Sequence, residues 1–411
     1  MRRAVITGLG PVTPIGIGKD SFFEGLRGGK SAVKRITSFD PSELRSQVAA
    51  EVADFDPPDY LDAKMLRRMD RFSQFAMVAA RLAIADAKLD TAGENPDRMG
   101  ICIGTALGGI GFAEKQHGAY TAGGLRAVDP ALALSVFGGA GSCNIAIDIG
   151  ATGPVNSNSN SCASGTIALG EAMELIRKDR ADVVLAGGAE APLAPLCFGA
   201  FSLIRAMSSR NDDPERACRP FDADRDGFVM AEGAAVLVVE ELEHARSRGA
   251  HIYGEIVGYG LTNDAYHMTA PRPDGSSAAR AMTIALSDAG LSPNEIDYIS
   301  AHGSSTPMND RTETLAIKTV FGDLAGRIPI SSTKGHHAHA LGATGACEAA
   351  GCALTLERGY IPPTLNLDKP DPECDLDYTP NTGREIQVGA VLSNSFGFGG
   401  INACLVMKQA D

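Results

Sequence analysis

The sequence predicts an α/β protein built from two similar halves, and three observations carry that prediction. Strand-like apolar runs alternate with helical periodicities along the whole chain. Glycine is abundant, 47 of 411 residues, as tight turns and close backbone approaches require. Two stretches also share one order of features: strand, polar reactive turn, small-residue helix, strand. The first holds Cys162, the run Leu169-Gly170-Glu171-Ala172-Met173 and the strand Val183-Val184-Leu185-Ala186. The second passes from Lys334 through His339 into Gly345-Ala346-Cys347-Glu348, then on to Val391-Leu392-Ser393. The natural reading is a duplicated unit with its chemistry at the junction.

In chain order, strands are expected over residues 4–9, 99–104, 155–159 and 183–186, with helices over 71–87 and 165–178. A further strand is expected over 234–240. In the second half the strands fall at 252–260, 298–301, 328–331 and 388–393, and the helices at 277–290, 310–321 and 345–358. Gly249, Pro271 and Pro273 punctuate the middle. The halves are therefore set at 1–250 and 251–411.

The composition, 44% hydrophobic and 21% charged, excludes disordered and collagen-like chains. No apolar run is long enough to span a bilayer, and the start reads as a strand running into a turn, not as a signal peptide. Nine cysteines without a Cys-x-x-Cys pair suggest neither a zinc site nor a disulfide scaffold. A reduced, cytoplasmic setting is expected. The net charge of −13 argues against nucleic acid as the main partner and leaves room for a local basic patch.

Cys162 sits in Asn158-Ser159-Asn160-Ser161-Cys162-Ala163-Ser164-Gly165, on a strand-to-helix turn. Unpaired helix N–H groups at such a turn favour a thiolate, the nucleophilic form. The plainer alternative is a small buried residue. His302 follows an apolar strand, and His336, His337 and His339 crowd a second turn. Isolated histidines are mostly structural. A zinc site at the cluster lacks a four-ligand set. Gly8-Leu9-Gly10 suggests a dinucleotide loop, but Thr13 stands where a third glycine is needed. Asp222-Ala223-Asp224-Arg225-Asp226-Gly227 resembles the start of a calcium loop, yet position 12 is Gly233 rather than glutamate, so a satisfied turn is expected. One cysteine and two histidines at strand ends suit acyl-thioester chemistry. The cysteine can carry an acyl group, and neutral imidazoles can donate N–H bonds to a developing enolate. The local cysteine signature of papain-like proteases is missing.

With these residues, the chain resembles the β-ketoacyl synthases, condensing enzymes of the thiolase superfamily. The likeness runs from Val5-Ile6-Thr7-Gly8-Leu9-Gly10 through Arg219-Pro220-Phe221-Asp222 and both histidine motifs to Ser393-Asn394-Ser395-Phe396-Gly397-Phe398-Gly399-Gly400. It implies a duplicated thiolase fold in five αβαβα layers. It implies Cys162 as the acyl-carrying nucleophile and His302 and His339 as the pair that stabilises the enolate left when malonyl-carrier protein loses carbon dioxide. Lys334 matches the lysine that organises the site, Glu348 a buried acid, and Thr306 a supporting position. The backbone N–H groups of Cys162 and Phe398 match an oxyanion hole. Phe398 also matches a gating aromatic, and Leu107 lines the acyl pocket. Lys64, Arg67, Arg68 and Arg205 match positions that dock acyl carrier protein. The resemblance implies no cofactor, no metal, no nucleic acid and no membrane.

The chain departs from the family pattern in places. His337-Ala338-His339 stands where Thr or Val, then Gly, then His is typical, and His336 adds a further imidazole. Ala265-Tyr266-His267-Met268-Thr269, Asn309-Asp310-Arg311-Thr312-Glu313-Thr314 and 370–378 lean towards the catalytic subunit of type II polyketide synthases. Such subunits pair with a cysteine-free chain-length factor. Ser332-Thr333-Lys334 and Ser393-Asn394-Ser395-Phe396 look more like the homodimeric fatty-acid enzyme, the close alternative. A non-catalytic chain-length-factor-like subunit is opposed by Cys162 and both histidines. A thiolase would need a second cysteine near 396–400, and Cys404 falls beyond that segment.

Overall fold

In the computed structural model, which describes residues 2–410, the apolar runs line up in one mixed sheet. Its main strands are β1 (Ala4–Thr13), β2 (Met99–Gly104), β3 (Val155–Asn158), β4 (Val183–Glu190) and β5 (Gly233–Glu241) in the first half. In the second half they are β6 (Gly254–Asn263), β7 (Tyr298–Ser300), β8 (Ile330–Ser331), β9 (Ala390–Gly397) and β10 (Ile401–Lys408). The spatial order is β3-β2-β4-β5-β1-β6-β10-β9-β7-β8.

Each half repeats one topology. β5 runs antiparallel to both β1 and β4, and β2 is parallel to β4 and β3. β10 runs antiparallel to both β6 and β9, and β7 is parallel to β9 and β8. The halves join where Ala4–Ile6 of β1 pairs antiparallel with Gly254–Ile256 of β6.

Five long helices complete the layers: α1 (Arg71–Ala87), α2 (Ser164–Arg177), α3 (Ser276–Ala289), α4 (Pro307–Phe321) and α5 (Thr344–Arg358). α1 covers β1 and β5 from outside, and α3 covers β6 and β10, with α4 beside it. α2 and α5 touch each other and lie between the halves, giving the five-layered αβαβα thiolase fold. Because both faces of the sheet are covered, β5 needs no polar alternation. Val236 and Val238 enter the outer core under α1, while Leu237 and Val239 enter the central one. All four are fully buried, and each side chain contributes about 1.5–3 kcal/mol by leaving water.

Gly8 and Gly10 are strand residues on which α1 rests, not a phosphate loop. A Cβ on Gly8 would lie 2.2 Å from the Ala83 carbonyl oxygen, and one on Gly10 would lie 1.9 Å from that of Ala79. β6 repeats the device: a Cβ on Gly258 would meet Ala285 O at 2.1 Å, and one on Gly260 would meet Ala281 O at 2.0 Å. The Asp222–Gly227 segment is a satisfied turn. Asp222 pairs with Arg219 at 3.0 Å, and Arg225 reaches Asp371 at 2.5 Å. Most element bounds agree with the sequence within a few residues. The sequence reading omits β10, several short elements and the helices Lys19–Arg27, Ile110–Gly123, Ala140–Ile149, Pro195–Leu203 and Leu242–Ser247.

Candidate active site

Cys162 stands where β3 gives way to α2. After β3 the chain makes a single 3-10 turn at Ser161–Ala163 and enters α2 at Ser164. Ser161 has φ 51, a left-handed conformation that folds the chain sharply before Cys162. The Ser164 hydroxyl closes the turn, accepting from Asn160 N and donating to Ser161 O, both at 2.8 Å. The end of β9 lies against it: a Cβ on Gly397 would come 3.2 Å from Cys162 N. The pseudo-equivalent turn, Leu341–Ala343 with φ 41 at Leu341, leads into α5 and places Gly342 where the first half has Cys162.

The turn was expected to favour a thiolate, but in the resting site Cys162 is a thiol. Burial pushes it up to about 12, while the Lys334 charge and the backbone N–H groups of Phe398 and Cys162 itself pull the other way. Those two N–H groups converge on the sulfur, the arrangement an oxyanion hole requires.

His302 follows β7. The backbone N–H groups of His302 and Gly303 both donate to the Glu313 carboxylate of α4 at 2.8 Å, and Asn394 of β9 holds the same carboxylate at 3.1 Å. His339 donates its backbone N–H to Val229 O at 2.9 Å, and its Nδ1 lies 2.9 Å from the Thr344 hydroxyl. The two rings meet edge to face with centroids 5.3 Å apart. Burial holds both imidazoles well below the ordinary 6.5, helped by the Lys334 charge, so both are neutral. Lys334, fully buried, donates from Nζ to Glu348 Oε1 at 2.5 Å and to the His302 carbonyl. It thereby ties the His302 loop to α5. Burial raises Glu348 to about 7 against the pull of Lys334.

Cys162, His302, His339, Thr306, Leu107 and Phe398 line one cavity of about 190 Å³, and Arg205 also borders it. Phe398 stacks on Phe201 at 6.3 Å, and Gly399 and Gly400 beside it take φ 85 and φ 75, the left-handed region that glycine occupies freely. Thr306 caps α4, accepting from Asn309 N at 3.2 Å. The other imidazoles turn elsewhere: His336 faces the Pro363 carbonyl at 3.0 Å, and His337 bridges Thr333 and Ala338. Among the described residues, no group of three His, Cys, Asp or Glu side chains is gathered as a metal ion would need. Cys404, the residue relevant to a thiolase reading, is fully buried in β10 and does not line the cavity. Lys64, Arg67 and Arg68 are exposed on and just after the short helix Ala63–Leu66. Unlike Arg205, none of the three lines the cavity.

Two carboxylates escaped the sequence reading. Glu313 lies in the Asn309–Thr314 motif, whose sequence points only to a branch of the family. Glu190, at the end of β4, is fully buried and accepts from the N–H groups of Ala106 at 2.5 Å, Leu107 at 3.0 Å and Gly342 at 3.0 Å. It joins the Ala106-Leu107 loop, which borders the cavity, to the turn before α5. Its only sequence signal is a lone acid ending an apolar run.

The beta-ketoacyl synthase N-terminal domain matches residues 1–245, and the corresponding C-terminal domain matches residues 253–368. A 3-oxoacyl-[acyl-carrier-protein] synthase 2 of Synechocystis sp. is 47% identical over 99% of this chain and 98% of its own length. A type II polyketide ketosynthase, solved with its acyl-carrier protein and bound to a hexaketide, superposes with TM-score 0.92 at 40% identity over 100% of both chains. The ishigamide ketosynthase/chain length factor superposes with TM-score 0.94 at 37% identity, again over 100% of both chains. With both family domains matched and a relative 47% identical over nearly the whole of both chains, the chain belongs to the β-ketoacyl synthase family, the decarboxylating acyltransferases that form carbon–carbon bonds.

Proposed function

We propose that the chain is a fatty-acid-elongating 3-oxoacyl-carrier-protein synthase of the second type. The Cys162 thiol attacks an acyl-carrier-protein thioester, the acyl group passes to sulfur, and the thiol proton leaves with the departing carrier thiol. Malonyl-carrier protein then loses carbon dioxide, and its enolate oxygen accepts N–H bonds from neutral His302 and His339. The carbanion attacks the acyl-Cys162 carbonyl, whose oxyanion sits between the N–H groups of Cys162 and Phe398. Collapse releases the 3-oxoacyl carrier and the Cys162 thiolate, which takes up one proton. Lys334 and Glu348 hold the His302 loop, Thr306 supports it, Phe398 gates the pocket and Leu107 bounds the acyl chain. Lys64, Arg67, Arg68 and Arg205 receive the acidic carrier.

The observation that carries this reading is the convergence of Cys162, His302 and His339 on one cavity. The 47% identical relative named for that synthase supports the fatty-acid branch over the polyketide one. The polyketide reading keeps one specific support, the ketosynthase neighbour bound to a hexaketide. The halves divide at 250/251, a boundary supported by the repeated strand order. The enzyme works as a homodimer in the cytoplasm. Among the described residues no helix is long and apolar enough to cross a membrane.

The test incubates the purified chain with acyl-carrier protein and then malonyl-carrier protein. Mass spectrometry should find an acyl adduct on Cys162, with carbon dioxide and a two-carbon-longer product from the chain alone. Cys162→Ala should abolish the adduct and the condensation. Activity only with a cysteine-free partner would favour the polyketide reading, and an active Cys162→Ala variant would refute both.

A further inference from the structure

We propose that His337 is a positioning residue for His339, holding the preceding peptide in a backbone conformation that alanine does not adopt unaided. Ala338 has φ 58 and ψ −158. That region is essentially reserved for glycine, because a Cβ there crowds the backbone. Keeping φ and rotating ψ by roughly 150° would bring Ala338 to the ordinary left-handed minimum. That rotation turns over the peptide between Ala338 and His339. The His339 N–H would leave Val229 O, now 2.9 Å away, and the imidazole would swing with it.

The His339 N–H bond to Val229 O, paired with that from Ala231 N to His339 O at 2.9 Å, opposes that relaxation from the N–H side of the peptide, and three further contacts oppose it around Ala338. The Ala338 N–H donates to Lys334 O at 2.8 Å. The Ala338 methyl is fully buried in an apolar cluster with Val229 and Cys218. Neither contact grips the carbonyl that would turn. The third does: His337 Nδ1 lies 2.9 Å from Ala338 O. A carbonyl oxygen only accepts, so Nδ1 carries the proton. Nε2, 2.9 Å from the Thr333 hydroxyl, is then the acceptor of a neutral ring. Burial, reinforced by the Lys334 charge, pushes His337 down to about 3, which keeps that pattern through the working pH range. Thr333, His337 and the Ala338 carbonyl thus form a buried relay that fixes the peptide leading into His339. This role rests on the reading of His339 given under Proposed function.

The experiment compares His337→Leu, His337→Asn, Ala338→Gly and the double variant H337L/A338G in the full-length enzyme. Two rates are followed: decarboxylation of malonyl-carrier protein, which uses His339, and acylation of Cys162, which does not. His337→Leu should lower the decarboxylation kcat about tenfold and leave acylation within about twofold, the scale of strain at such a backbone position. His337→Asn, whose amide N–H reaches the same carbonyl, should retain most of the rate. In the A338G background, the cost of H337L should shrink to within about twofold, since glycine holds the conformation unaided. Backbone hydrogen exchange over residues 338–340 gives a readout independent of turnover. It should quicken in H337L and return towards the parent rate in the double variant. An equal loss in both backgrounds, an equal loss of both rates, or unchanged exchange in H337L would overturn the proposal. A parent enzyme that never decarboxylates would instead overturn the proposed function, and the exchange measurement would still decide the role of His337.

Discussion

Cys162 shows two local effects in opposition. Its place before α2 favours negative charge, while its burial favours the neutral thiol, and burial wins. The same burial keeps both histidines neutral, so each ring presents one N–H donor and one acceptor nitrogen. Both are held well below 6.5, so neither gains a proton as pH falls through that value. In protein labelled with ¹³C-histidine, the resonances assigned to His302 and His339 should therefore stay fixed between about pH 8 and pH 6. A titration midpoint near 6.5 for either would contradict the buried site. The neighbouring carboxylates shift the other way, with Glu348 and Glu190 each raised to about 7 by burial. Cys162, His302, His339 and Lys334 were legible in the sequence because each sits in a short polar motif after an apolar run. Glu313 and Glu190 were not, because each acts through backbone N–H groups distant in sequence, which no local pattern reveals.

Among the elements, α2 and α5 fix the distance between the two halves of the site. They approach closely because Gly165 faces Ala346 and Gly345 faces Thr166. A Cβ on Gly165 would lie 2.8 Å from Ala346 N, and one on Gly345 would lie 2.1 Å from Thr166 Oγ1. Gly165→Val should therefore force the helices apart and cost about 1–3 kcal/mol, with a lower urea midpoint. Gly118→Ala is the control: it lies in the helix Ile110–Gly123 with nothing within 4 Å of the added Cβ, and it should stabilise by up to about 1 kcal/mol. Equal midpoints for the two variants would contradict the close packing. The small-residue character of both helices was readable in advance. The Gly-x-Gly pair of β1 was equally visible, and Thr13 in place of a third glycine already argued against a dinucleotide loop, but the packing role of this pair and of its counterpart in β6 was not. Their partners, the Ala79 and Ala83 carbonyls and those of Ala281 and Ala285, lie on helices that only the fold brings near.

For the whole molecule, a net charge of −13 and an acidic carrier would repel each other on average. A local exception is the exposed Lys64, Arg67 and Arg68 group, which forms no ion pair among the described residues. Reversing all three to glutamate should raise KM for carrier-bound substrates about 10–100-fold with kcat little changed, since each exposed pair contributes up to about 1 kcal/mol. Turnover of a small acyl thioester without carrier should be unaffected, and added salt should weaken the parent enzyme more than the variant. An unchanged KM would move the docking surface elsewhere.

The sequence by itself determined the type of most main elements and singled out Cys162, His302 and His339 as candidates, because periodicity and turn chemistry are local properties of the chain. Tertiary structure decided the rest. It showed two halves with one strand order, a lysine that reaches the His302 carbonyl across 32 positions, and a thiol held neutral by burial. It also placed an alanine in a glycine conformation beside His339. These depend on which backbone groups meet and how much water is excluded, and both are settled only when distant segments close around one cavity.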